Sequence, residues 1–140
     1  MTDNENAPSR TPRHAVILCH PDPHSFNRGV ADAYCAAVRK CGQDVVVRDF
    51  YAMGFDPVLK GHERPTGADF TPSPDVRREL DLLRPCDVFV LVYPIWFGTP
   101  PAMLKGYVER VLGAGVDPKS VRARAGTSFL AGKRLLSFTS

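Results

Sequence analysis

Two short stretches of this sequence carry the residues best equipped for chemistry. The first is His20-Pro21-Asp22-Pro23-His24-Ser25-Phe26-Asn27, which places an imidazole, a hydroxyl and a carboxamide just ahead of a helical pattern. The N–H groups at a helix start have no intrahelical partner, so together with Ser25 or Asn27 they can meet a phosphate. No glycine precedes Gly29 in this turn, which separates it from the Gly-rich nucleotide fingerprint. The second stretch is Tyr93-Pro94-Ile95-Trp96-Phe97-Gly98. Two adjacent aromatics between prolines and a glycine give a planar apolar surface on a stiff backbone. Convergent metal-ligand spacing is missing: His14, His20 and His24 supply no convincing set, and no metal is expected.

The elements that position these stretches follow from periodicity. Ala15 to Cys19 reads as a short buried strand, and Val30, Ala33, Tyr34, Ala37, Val38 and Cys41 recur at helical spacing until Gly42 ends the helix. Gln43 to Phe50, carried by Val45-Val46-Val47, is a second strand whose helix-to-strand order fits a parallel crossover. Tyr51 to Thr71 is a long irregular excursion, read as a functional or subunit-contacting loop. Ser73 caps a helix that starts at Pro74, has Asp75 in its first turn, turns Val76, Leu80 and Leu83 inward and stops at Pro85.

Val88 to Val92 is an unbroken apolar run, the mark of a strand buried on both faces. Past it, Thr99 is expected to cap a helix with Pro100 first, Met103, Leu104, Tyr107, Val108, Val111 and Leu112 inward, and Gly113 left-handed at its end. Lys105, Glu109 and Arg110 fall between them and read as solvated or interface polar groups. Ala114 to Ala131 reads as an exposed connection that folds over a site, and Leu135 to Ser140 as the start or whole of a fourth parallel strand. The class is α/β, and in a doubly wound sheet the loops at the carboxyl ends of the strands bind the ligand.

A chain of 140 residues with 44% hydrophobic content suits one domain. The expected division is a flexible arm over residues 1–13 and a domain over 14–140. No run approaches the roughly 18 apolar residues of a membrane span, and the polar start lacks a signal-peptide core, so a cytoplasmic protein without membrane insertion is expected. Cys19, Cys35, Cys41 and Cys86 lie in apolar segments without paired spacing and are expected reduced and mostly buried. A net charge of +3 without an interleaved aromatic tract gives no reason to expect nucleic acid.

In order and spacing these pieces resemble the flavodoxin-like NAD(P)H:quinone oxidoreductases, the DT-diaphorase-like flavoproteins. The resemblance rests on His20-Pro21 with Ser25-Phe26-Asn27 and the Glu79-Leu80 to Cys86-Asp87 approach to the third strand. It rests also on Tyr93 to Gly98 and on Pro101-Ala102-Met103-Leu104-Lys105-Gly106-Tyr107-Val108-Glu109-Arg110-Val111. It implies a parallel sheet of order 2-1-3-4-5 with helices on both faces, in a homodimer with flavin sites at the interface. His20, Ser25, Phe26 and Asn27 would contact the flavin phosphates and sugar, and Pro94, Ile95, Trp96 and Phe97 would hold the ring by stacking and main-chain contacts. The implied cofactor is FAD, with FMN the alternative. The implied reaction is a ping-pong transfer of a hydride from NAD(P)H to the flavin and of two electrons to a quinone. The excursion would wall the neighbouring active site through Phe55 and Leu59. Family members continue past the fourth strand with a flavin loop, an assisting Tyr and His, a fifth strand and a helix, so the chain is expected to be truncated at its C-terminus, with no catalytic side chain of its own assigned. A flavodoxin-like electron-transfer or regulatory protein, and a flavin-free partial domain, remain as alternatives.

Overall fold

The computed structural model describes residues 10–65, 69–116 and 128–140. Four strands, β1 (Arg13–Leu18), β2 (Asp44–Asp49), β3 (Val88–Tyr93) and β4 (Arg134–Thr139), form one sheet of order β2-β1-β3-β4. Every neighbouring pair is parallel, with Val16 opposite both Val47 and Val90, and Val90 opposite Leu136. Parallel neighbours need helical crossovers, which cover both faces of the sheet and explain the continuous apolar runs of β1 and β3. Successive residues point to opposite faces. Val16 and Leu18 with Val88, Val90 and Val92 pack on Ala31 and Cys35 of helix α1 (Phe26–Lys40). On the other face, Ala15, Ile17 and Phe89 pack on Val76, Leu80 and Leu83 of helix α2 (Pro74–Leu83), and on Leu104, Tyr107 and Val111. This four-strand parallel sheet with helices on both faces is the flavodoxin-like α/β architecture expected. The β4 strand holds the expected place beside β3, yet its six residues are exposed, with Phe138 resting 5.9 Å from the Tyr34 ring.

The N-terminal arm over 1–9 and the connection over 117–127 lie outside the described residues. Of the arm's remainder, Arg10 pairs with Asp87 at 2.6 Å, and the backbone N–H of Arg13 donates to the same carboxylate, tying the start of β1 to the start of β3.

Four local expectations are corrected. Helix α3 spans Ala102–Tyr107 with Pro101 at its N-cap, because Thr99 is consumed in a hairpin with Trp96 and Pro100 precedes the helix. The chain then makes a π-helical turn over Val108–Leu112, closed by the Gly113 N–H on Val108 O at 2.8 Å. Gly113 is right-handed at φ −62; a side chain there would meet Glu109 O at 2.5 Å, so close approach and not a left-handed cap calls for glycine. Within this segment Val108 is exposed and Arg110 is buried, the reverse of the expected pattern. Two carboxylates inside the fold account for the buried arginine. On α1 the buried face is Ala31, Cys35 and Val38, while Ala33, Ala37 and the C-cap residue Cys41 are exposed. Small residues fit either side of an amphipathic helix, so alanine spacing misplaces the stripe.

Candidate functional site

Because β1, β2 and β3 are parallel, their carboxyl ends open on one rim, and each leads into one wall of the candidate site. After β1, the chain turns through His20 to Ser25. The Asp22 N–H donates to His20 Nδ1 at 3.0 Å, which leaves the neutral ring with its proton on Nε2. Asp22 also accepts the His24 N–H, and its carbonyl takes the Ser25 N–H, so the turn is held by its own polar groups. Ser25 is the N-cap of α1 and its Oγ accepts from the Arg28 N–H at 3.2 Å. Phe26 projects into solvent, and Asn27 is buried with its Oδ1 accepting from Ser140 Oγ at 3.1 Å. Arg28, in the first turn, is paired with Asp49 at 2.9 Å and Asp32 at 3.2 Å.

After β3, Pro94 is buried and the next three residues emerge. Trp96 and Thr99 exchange both backbone hydrogen bonds at 3.0 Å, closing a two-residue hairpin around Phe97 and Gly98. Both central residues have positive φ, +51 for Phe97 and +76 for Gly98. That is the mirror-image turn which ordinarily takes Asn-Gly. Phe97 is the only non-glycine with positive φ among the described residues, and its ring is fully exposed at 106%. A phenylalanine in this conformation costs about 1–2 kcal/mol and recovers none of it by packing. Strain and exposure at one aromatic residue make the hairpin the candidate ligand surface. The Trp96 ring stands 5.5 Å from His20, edge to face at 61°, so the structure joins the two stretches singled out in the sequence. The Ile95 N–H donates to Ser140 O at 2.9 Å and the Trp96 N–H to Thr99 O, while Phe97 and Gly98 N–H find no acceptor among the described residues.

The third wall is the excursion after β2, which starts at Tyr51. Phe55 does not project from it: its ring is buried against Phe50 at 5.4 Å and Tyr107 at 5.2 Å, which removes it as a wall for a neighbouring subunit. Tyr51, Met53 and Val58 are its exposed apolar residues. Cys19 follows β1 directly, but burial pushes its thiol up to about 11, leaving it protonated and inert as a nucleophile. His24 and His62 are exposed, the latter within 3.2 Å of Ser73 Oγ. Among the described residues no group of three or more His, Cys, Asp or Glu could hold a metal ion. Nor is any helix of the described residues long and apolar enough to cross a membrane.

Sequence reasoning missed two buried ionic clusters. Arg110 binds Glu63 and Asp75. Its hydrogen bonds hold the Glu63 carboxyl down to about 2; burial pushes Asp75 up, but Arg110 outweighs it and leaves that carboxyl below its ordinary value. Arg48 pairs with Glu79, which accepts the Tyr107 hydroxyl at 2.9 Å; burial and the adjacent carboxylate push that phenol far above its usual range. The one signal for Arg110 was its spacing, three residues beyond the core residue Tyr107.

A family model described as a flavodoxin-like fold matches residues 12–140. The chain belongs to that family. It is 35% identical over 108 residues to an uncharacterized NAD(P)H oxidoreductase of Haemophilus influenzae, covering 76% of this chain and 54% of that protein. It is 34% identical over 122 residues to NAD(P)H dehydrogenase [quinone] 1 of Cavia porcellus, covering 74% of this chain and 44% of that protein. The chain thus spans about half the length of the curated relatives it matches. Among solved structures, the NAD(P)H:quinone oxidoreductase of Methanothermobacter marburgensis superposes with a TM-score of 0.71 over 92% of this chain and 86% of that one, at 21% identity. At that identity the likeness speaks for the fold.

Proposed function

We propose that this chain carries the flavin-binding portion of an NAD(P)H:quinone oxidoreductase that works as a homodimer. The reading takes FAD as the cofactor, with FMN as the alternative, and NAD(P)H and a small quinone as substrates. The observation that carries it is the Trp96–Thr99 hairpin, which holds a fully exposed aromatic ring in a strained backbone 5.5 Å-linked, through Trp96, to His20 at the mouth of α1. The relatives' names point to the same chemistry.

The residues present fit the group. The Nε2 proton of His20, the Ser25 hydroxyl and the first turn of α1 form a donor set for phosphate and sugar oxygens. Trp96 and Phe97 offer apolar faces for a planar ring, and the buried Pro94 keeps their backbone rigid. The amides of Phe97 and Gly98 are donors left over for an acceptor at the ring's edge, where an N–H stabilises negative charge gathered on reduction. When bound, the flavin supplies the two-electron chemistry, taking a hydride from NAD(P)H and passing two electrons to a quinone in turn. The protein's share is orientation: the turn and the two flanking walls hold successive substrates over one face and exclude water.

The test is direct. Titration of the protein with FAD and with FMN, read by flavin fluorescence, should give saturable binding. Anaerobic addition of NADH or NADPH should then bleach the flavin, and a naphthoquinone should restore its colour. A protein that binds neither flavin removes the reading; one that binds flavin but is not bleached is a carrier and not an oxidoreductase.

A further inference from the structure

Arg110 is the most deeply buried cation among the described residues, and all five of its N–H bonds have acceptors. Nε and Nη2 clasp Glu63 at 2.9 and 2.7 Å; Nη1 and Nη2 reach Asp75 at 2.8 and 3.1 Å; and Nη1 also donates to Asp56 O at 2.6 Å. Glu63 is itself wholly buried, and its Oε2 also takes the Lys60 N–H at 2.9 Å. One guanidinium therefore fastens both ends of the Asp56–Glu63 segment and the first turn of α2 to the helical arm that follows the aromatic hairpin.

A second point of attachment lies nearby. Pro57 packs so tightly on Gly106 of α3 that a side chain there would meet Pro57 O at 2.3 Å. Burying a cation with two carboxylates is a poor route to stability, since apolar residues of similar volume do as well or better. What a planar five-donor fork supplies is a single fixed geometry. The segment it fixes belongs to the excursion, which leaves β2 at its carboxyl end, the end at which parallel β1 and β3 lead into His20 and Trp96.

We propose that Arg110 is a positioning residue for the candidate site, locking the Asp56–Glu63 segment to the helical arm that follows the Trp96–Phe97 hairpin so that the space over the hairpin keeps a fixed width. The proposal rests on the oxidoreductase reading above. Arg110 is buried and touches no reacting atom; it acts through the wall.

The experiment separates positioning from support of the fold. Arg110→Lys keeps the charge but loses the fork. It should raise KM for a naphthoquinone about tenfold while kcat and the flavin Kd change by less than about twofold. The apolar double variant Arg110→Met with Glu63→Met removes the two wholly buried charges together and leaves only Asp75, whose side chain is partly exposed to solvent. It should melt within a few degrees of the parent yet retain the raised KM. If the double variant recovers both the melting temperature and the low KM, or if Arg110→Lys leaves KM unchanged, the positioning role is overturned. Should the parent bind no flavin, the oxidoreductase reading falls by itself, and amide exchange decides the rest. Faster exchange over residues 51–65 in the apolar double variant, with α1 unchanged, sustains the lock, and unchanged exchange over 51–65 removes it.

Discussion

Replacing Gly106 by alanine sets two effects of known sign against each other. Alanine inside a helix gains about 1 kcal/mol over glycine. At this position, however, the added methyl would lie 2.3 Å from Pro57 O, 2.4 Å from Pro57 Cβ and 2.6 Å from Pro57 Cα. Those are backbone and ring atoms with no rotamer to escape into, and the segment bearing them is held at Asp56 by Arg110. Overpacking of this kind costs about 1–3 kcal/mol, and more where nothing yields. Taking the upper figure, the clash wins by about 2 kcal/mol, a fall in Tm of about 4–8 °C for a domain of this size. Gly29 provides the opposite case. It lies in α1, and a side chain there meets nothing within 4 Å, so Gly29→Ala should stabilise by about 0.5–1 kcal/mol. Urea denaturation of both variants at neutral pH is the assay. A Gly106→Ala protein as stable as the parent would show that Pro57 does not sit on α3, and a destabilised Gly29→Ala would overturn the propensity argument itself.

Three further outcomes are expected. Because the folded Glu63 carboxyl is held at about 2 against an ordinary 4.5, it contributes about 3 kcal/mol of stability that is full above pH 4.5 and is lost as pH falls toward 2. Glu63→Gln should therefore lose a comparable amount at pH 7 and show a flatter urea midpoint between pH 4.5 and 2; an unchanged acid profile would contradict the pairing. Phe97→Asn should relieve the positive φ and raise stability by about 0.5–1 kcal/mol while weakening flavin binding about tenfold, read by denaturation and by flavin titration. A variant that loses stability would show the Phe97 ring to be packed. In a thiol titration with Ellman's reagent, Cys41 should react at once and Cys19, Cys35 and Cys86 only on unfolding; more than one fast thiol would place the core differently.

Much of this fold was legible because its signals are local. The Val88 to Val92 run reads as a strand covered on both sides, and Gly42, Ser73 and Pro74 sit at the helix ends they were expected to mark. The helix after the hairpin was misread at both ends for a physical reason. Thr99-Pro100-Pro101 carries the chemistry of a helix start, but pairing of Thr99 with Trp96 is a hairpin contact that competes for the same residue. At the other end the π turn and the approach of Glu109 O to Gly113 come from packing and leave no sequence period. The site divides in the same way. That Trp96 and Phe97 form an exposed platform follows from residue types, whereas the strain at Phe97 depends on a hairpin of just two residues, which spacing does not reveal.

Arg110 shows where such reading stops. By type and by its charged neighbours it belongs on a solvated face, and Glu63 lies in a stretch with no periodicity at all. Neither residue is interpretable without the other, and 47 residues separate them. Their pairing becomes visible only once the parallel order of β2, β1 and β3 has brought the excursion over α3. The same ordering gives the pair its consequence. A buried fork that adds little net stability still restricts how one wall of the rim sits against another. A long excursion whose regular structure among the described residues is one 3-10 turn, Gly61–Glu63, can serve a binding site only if something holds its shape, and here that holder lies behind the wall. Substitutions at Arg110 should therefore be read first for changes in geometry at the hairpin, and only second for loss of stability.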